Sequence, residues 1–264
     1  MNLRNSFALP LLFGALAGGL GGLMGVGGGL VLVPLLVHFL HQGQHDAQGT
    51  SLGFFIVTAL IAAIPYIRSE SIPWSLVGTL ALGAVPGVMT GAAIAKRTPA
   101  TRLRLWFGLA ILASAVRLLF VPPAGGGGTL WPAPWNVLLG YGIGTFAGLL
   151  GVGGGVFLVP TLVIWQGATQ HMAQGVSLAL IVPIGFVGYL SYARSGHAKG
   201  RLLPALFLGG AAGGWLGATF AHSLRGPVLT RIFALFMVAV GTRMILSSRR
   251  PVPIAAPSPV GGST

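Results

Sequence analysis

Residues 18–37 read GGLGGLMGVGGGLVLVPLLV, and residues 144–165 read GTFAGLLGVGGGVFLVPTLVIW. Both are apolar runs interrupted by GVGGG, at Gly25–Gly29 and Gly151–Gly155, with Pro34 and Pro160 at the same spacing beyond. Three adjacent glycines in an apolar helix cost about 1 kcal/mol each relative to alanine. A break of this kind at membrane depth is tolerated only where it is buried in protein or lines a wet cavity. Two such breaks at matching positions in two halves of a chain are the strongest sequence pointer to a transporter binding site.

The offset of 126 residues between the two breaks extends over most of the chain. Gln44-His45 matches Gln170-His171, Gln48 and Ser51 match Gln174 and Ser177, and Tyr66, Arg68 and Ser69 match Tyr192, Arg194 and Ser195. Gly83, Gly87 and Gly91 match Gly209, Gly213 and Gly217, and Arg117 matches Arg243. The chain reads as a tandem duplication. The first repeat covers 1–120, a Pro- and Gly-rich linker 121–133, the second repeat 134–248, and a disordered Pro/Ser/Gly-rich tail 249–264.

Around this unit the composition is that of a membrane protein. Of 264 residues, 54% are hydrophobic and 6% charged, and mean hydropathy is +0.86. A soluble domain is about 25% charged. Each half holds five apolar segments, near 7–24, 29–40, 49–67, 73–95 and 102–121, then 134–150, 155–167, 175–193, 201–221 and 227–247. The expected fold is an all-α, polytopic membrane helix bundle of two repeats, each opening with a Gly-broken helix pair. The apolar run after Arg4 reads as a retained membrane segment rather than a cleaved leader.

The second segment of each half is about 12 residues, roughly 18 Å of helix, too short to cross about 30 Å of hydrocarbon. If it continues the first segment as one broken crossing, the halves are parallel. If the two form a hairpin, the halves are inverted. Loop charge favours inversion: the hairpin topology divides the fifteen Lys and Arg eleven to four, the other nine to six. The richer side holds both termini and is expected to be cytoplasmic, in an inner membrane.

Charge also excludes functions. Fifteen bases stand against two acids, Asp46 and Glu70, for a net charge of +13. The bases sit in short loops, a topology code and not a nucleic-acid groove. No paired carboxylates are available for hydrolysis, and the chain has no cysteine. No catalytic residue, metal site, cofactor or nucleic-acid partner is expected. The glycine motif lacks the strand context and following lysine of nucleotide loops.

A helix that restarts after a glycine break points free N–H groups and a positive dipole end into the break, which suits an anion. Candidate substrate contacts are therefore Gly27, Gly28 and Gly29 with Gly153, Gly154 and Gly155; the alternative is that the breaks serve close packing or hinge motion without touching a ligand. The Q-H-x-A-Q-G-x-S-L element adds neutral donors, Gln48 and Ser51 with Gln174 and Ser177, or alternatively glues the helices. Pro34 and Pro160 are candidate hinges. His45 and His171 are candidate proton carriers, or else interfacial histidines held by a carbonyl. Arg68 and Arg194 read as topology charges, or alternatively as guides for an anion into a vestibule; Arg117 and Arg243 read as side chains snorkelling from helix ends, or as functional residues if they lie at membrane depth. The four-residue glycine spacings at Gly14, Gly18 and Gly22, and at Gly140, Gly144 and Gly148, read as close-packing faces.

The paired G-x-G-G-G…V-P stretches at 18–37 and 144–165, with AQGTSL at 47–52 and AQGVSL at 173–178, resemble the TauE/SafE family of membrane transporters. The resemblance covers almost the whole chain. It implies an inner-membrane secondary carrier of sulfur-containing anions such as sulfite or organosulfonates, with the lipid bilayer and a small anion as its partners. Family members are described with seven or eight helices, which depends on how the short segments are scored. The remaining alternatives are a passive anion channel and a non-transporting assembly protein.

Overall fold

Lipid supplies no hydrogen-bond partners, so each apolar segment satisfies its backbone as helix. The computed structural model describes residues 7–95, 100–120, 131–151, 153–197 and 200–248, and these are all-helical, without strands. The linker at 121–130 and the tail from 249 lie outside the described residues. Ten helices follow: α1 (Ala8–Met24), α2 (Gly29–Phe39), α3 (Gln44–Ser69), α4 (Trp74–Ala95), α5 (Ala100–Phe120), α6 (Ala133–Leu150), α7 (Gly155–Trp165), α8 (Gln170–Ala193), α9 (Leu203–Ser223) and α10 (Gly226–Ser248). Five of them, α3, α4, α8, α9 and α10, are long and apolar enough to cross a membrane.

The glycine breaks turn the chain back on itself. Gly25 and Gly28 are left-handed, at φ 69° and 81°, as are Gly151 and Gly154 at 65° and 73°. These are conformations that glycine adopts without steric cost. After the turn, Gly28 lies against Ala17 and Gly18 of α1. Further along, Phe39 stacks on Phe13 with centroids 5.5 Å apart. α7 also packs on α6, Gly154 against Ile143 and Phe157 against Phe146. α1 and α3 both run parallel to α9, so the chain between them comes back through α2. At 11 residues, α2 and α7 are about 16 Å long, half the bilayer.

Small residues set the long-range packing. On α1, Gly14 meets Leu206, Gly18 meets Gly210 and Gly22 meets Gly214, so α1 and α9 run parallel. Gly140, Gly144 and Gly148 of α6 meet Leu80, Ala84 and Val88 of α4 with the same direction. A Cβ at Gly18 would lie 2.8 Å from Gly210 Cα, so only glycine allows this approach. α3 and α8 run antiparallel: Gly49 faces Tyr192, Gly53 faces Tyr189, and Tyr66 faces Gly175. α5 and α10 are antiparallel too, with Gly108 against Ile245 and Leu112 against Gly241.

These directions define two ends of the bundle. The starts of α1, α3 and α9 share one end with Arg194 and His197. The starts of α4, α6 and α8 share the other with the exposed rings of Trp74, Trp135 and Trp165. Tryptophan at one level of a lipid-facing surface marks a membrane interface. The outward faces carry Leu12, Leu16, Leu82, Leu138, Leu208 and Leu216, all exposed, as expected of helices solvated by acyl chains.

Candidate functional site

The two breaks meet in the middle of the bundle. A Cβ at Gly155 would lie 2.8 Å from the Gly25 carbonyl oxygen and 2.9 Å from Val26 Cα. Phe55 touches both breaks, close to Gly27 and to Gly153, and Ile181, its counterpart at the 126-residue offset, lies against Gly27. Gly25–Gly29 and Gly153–Gly155 are all buried.

Each break has a donor side and an acceptor side. On the donor side, α2 starts after left-handed Gly28 with no side-chain cap, and α7 starts likewise after Gly154. The Val31 and Leu32 N–H groups donate to the Gly28 carbonyl at 3.1 and 3.0 Å. The N–H groups of Gly29 and Leu30, earlier in the turn, have no intrahelical acceptor by position. Phe157 and Leu158 donate to Gly154 at 3.1 Å, leaving Gly155 and Val156 in the same situation. Two half-helices therefore direct the positive ends of their dipoles at one central region.

On the acceptor side, the last carbonyls of α1 and α6 are satisfied by side chains. Ser177 donates to Gly25 O at 2.6 Å, and Ser51 donates to Gly151 O at 3.0 Å. Gln174 Nε2 donates to Leu23 O at 3.3 Å, and Gln48 Nε2 to Leu149 O at 3.3 Å. The Tyr66 hydroxyl lies 2.9 Å from Gly22 O and 3.0 Å from Gln174 Oε1; Tyr192 lies 3.0 Å from Gly148 O and 3.3 Å from Gln48 Oε1. Residues 126 apart make the same bonds. The Gln and Ser bonds cross between the halves, so each break is held by the opposite half. In this conformation, the candidate donors Gln48, Ser51, Gln174 and Ser177 serve backbone carbonyls at the centre.

A cavity of about 330 Å³ lies beside this centre. Leu30 and Val156, first-turn residues of α2 and α7, line its inner part together with Leu150. Pro34 lines its wall, and His38, Gln44 and Arg243 its polar part at the end that holds Arg194. His38 and Arg243 are exposed. Arg243 thus stands in the cavity wall. Pro160, the counterpart of Pro34, is buried within α7.

His45 and His171 sit at opposite ends. His45 stacks near His197 with centroids 5.5 Å apart, and His197 Nδ1 is 3.1 Å from Asp46 Oδ1. His171 Nε2 is 3.1 Å from the Ala221 carbonyl, and its ring is 5.3 Å from that of His222, which packs edge-on against Tyr66. The contributions of His197, His222 and Phe55 had no separate signal in the sequence. Tyr66 and Tyr192 did, since they recur at the common offset. Among the described residues, no group of three or more His, Cys, Asp or Glu is placed to hold a metal.

A multi-pass bundle whose central helices are broken at glycine and reached by an internal cavity belongs to the class of membrane transporters. The sequence model described as "Sulfite exporter TauE/SafE" matches residues 10–244, and the chain belongs to that family. It is 26% identical over 266 residues to the "Probable membrane transporter protein YunE" of Bacillus subtilis, covering 91% of this chain and 97% of that one. A "Probable membrane transporter protein" of Haemophilus influenzae is 30% identical over 259 residues, covering 90% and 97%. One from Xylella fastidiosa strain Temecula1 is 29% identical over 245 residues, covering 89% and 93%. No solved structure matches.

Proposed function

We propose that the protein is a secondary transporter that carries a small oxyanion, sulfite or an organosulfonate, by alternating access. The observation that carries this reading is the cavity whose inner wall includes Leu30 and Val156, in the uncapped first turns of two converging half-helices. Backbone N–H groups at Gly27–Gly29 and Gly153–Gly155 are the proposed anion contacts, since helix N-termini bind oxyanions through aligned N–H groups and dipole. Gln48, Ser51, Gln174 and Ser177 are within the same region. Their N–H and O–H groups are shared between the carbonyls they now hold and an arriving anion, so binding and loosening of the hairpins draw on the same donors. The family's printed description supports sulfite as the first substrate to test.

The antiparallel packing of α3 on α8 and of α5 on α10 supports inverted repeats, with the membrane-plane pseudo-axis passing between Phe55 and Ile181. With the basic loops facing the cytoplasm, the cavity opens inward and both termini are cytoplasmic. Pro34 and Pro160 serve as hinges of the short arms. His45 and His171 are the proposed proton carriers, one at each end.

Flux of sulfite, methanesulfonate, taurine, sulfate and acetate into proteoliposomes tests the proposal. Saturable uptake confined to the sulfur oxyanions is the expected result. Large unitary currents across a planar bilayer would establish a channel instead, and saturable uptake of acetate alone would overturn the substrate assignment.

A further inference from the structure

Gln44 and Gln170 open α3 and α8 at the 126-residue offset, and their surroundings differ. Gln44 is half-buried and lines the cavity beside Arg243 and His38. Gln170, at the Trp-bearing end, is 2% exposed. Its Nε2 is buried with no hydrogen-bond partner. Its Oε1 is 3.4 Å from the Thr230 hydroxyl, whose single proton is also directed at Gly226 O at the shorter distance of 2.9 Å. Four residues earlier, Gln166 Nε2 donates to Asn136 Oδ1 at 3.0 Å, but its buried Oε1 has no partner.

A buried amide donor without an acceptor is costly, and native proteins rarely keep one without a use. Gln44 shows what the equivalent position faces when its side is open: a polar vestibule with a guanidinium in the wall. From this geometry we infer that Gln170 Nε2 is a substrate contact of the second vestibule, closed in this conformation, and that the weak Thr230–Gln170 bond is part of its seal. The ligand class is the oxyanion of the alternating-access reading, which can accept from the unpartnered Gln170 N–H. Gln44 and Gln170 are then alternating stations, each exposed while the other is shut. The inference rests on the alternating-access reading above and adds the residue that receives the anion on the far side.

Two measurements test it. Gln170→Leu replaces a poorly satisfied amide with an apolar side chain of similar size. The thermal midpoint of the purified protein should stay or rise, while methanesulfonate flux falls by roughly 10- to 100-fold, the loss of one hydrogen bond to a charged ligand. Gln170→Asn should recover part of the flux. A lower midpoint together with lower flux, or unchanged flux, would overturn the inference by making Gln170 structural or idle. The chain has no cysteine, so Thr230→Cys can be introduced as a lone thiol that leaves Gln170 in place. It should resist a membrane-impermeant maleimide at rest and react from the Trp-bearing side while a methanesulfonate gradient drives turnover. Labelling that is fast at rest and unchanged by the gradient would refute the seal. Absence of saturable flux in the unmodified protein would instead strike the transporter reading, and it is read before either variant.

Discussion

The Ser177 hydroxyl donates to the Gly25 carbonyl at 2.6 Å, across 152 residues of sequence and from one half of the chain into the break of the other. Ser51 makes the corresponding bond to Gly151 at 3.0 Å. Both serines are fully buried. Replacing Ser177 with alanine strands a buried carbonyl and is expected to destabilise the fold by about 1–3 kcal/mol. Thermal unfolding in detergent measures this, and Ser177→Thr should keep the bond at the expense of a tighter fit beside Gly155.

Gly28→Leu and Gly154→Leu should abolish uptake while some folded protein still reaches the membrane. Both positions have φ above 70°, and a Cβ at Gly28 would collide with the Ala17 carbonyl. A Cβ at Gly78, in α4, meets nothing within 4 Å. Gly78→Ala is therefore expected to be neutral or to stabilise by up to about 1 kcal/mol. Flux and membrane abundance measured together separate the two cases. Normal uptake by either leucine variant would refute the site.

Arg243 places a fixed positive charge in the cavity wall, in the same lining as His38 and Gln44. Arg243→Gln should raise KM for an anionic substrate severalfold while changing kcat less, because a charge at the entrance raises the local anion concentration. The difference between variant and parent should shrink as ionic strength rises, since screening weakens the attraction. Concentration series of methanesulfonate at low and high salt give both readings.

If a proton moves with the substrate, histidine is the side chain that changes charge between about pH 5 and 8. His171 faces His222 and the Ala221 carbonyl, and Tyr66 lies on the far side of His222. His171→Gln should remove the stimulation of flux by an imposed proton gradient while leaving flux down the substrate's own gradient. Stimulation equal to the parent's would reassign the coupling to the substrate's own ionisation.

The helix breaks were readable in the sequence because three adjacent glycines interrupt an otherwise apolar helical run at a cost in propensity. The common offset also marked Gln48, Ser51 and Tyr66 as a set with Gln174, Ser177 and Tyr192. What these side chains bond to was not readable. Gln48 and Ser51 reach carbonyls about a hundred residues away, and a backbone acceptor leaves no mark on residue identity. The choice between hairpin and continuous crossing rested on loop charge until the left-handed glycines and the Phe13–Phe39 contact showed the chain turning back. The difference between Gln44 and Gln170 had no sequence signal either, because the two residues are identical and only the conformation distinguishes them.

Because each hairpin tip is secured by the other half, the order of synthesis matters. When the ribosome has completed Gly25, the hydroxyl that will cap it is still 152 residues from being made. At roughly 5–20 residues per second, that is about 8–30 s during which the first hairpin sits in lipid with a buried carbonyl unmet. The Tyr66 bond to Gly22 is formed from within the first half, so only part of the tip is secured early. The first half is thus a nascent-chain intermediate with unmet acceptors, a species for which the insertion machinery or bound water must substitute until the second half arrives.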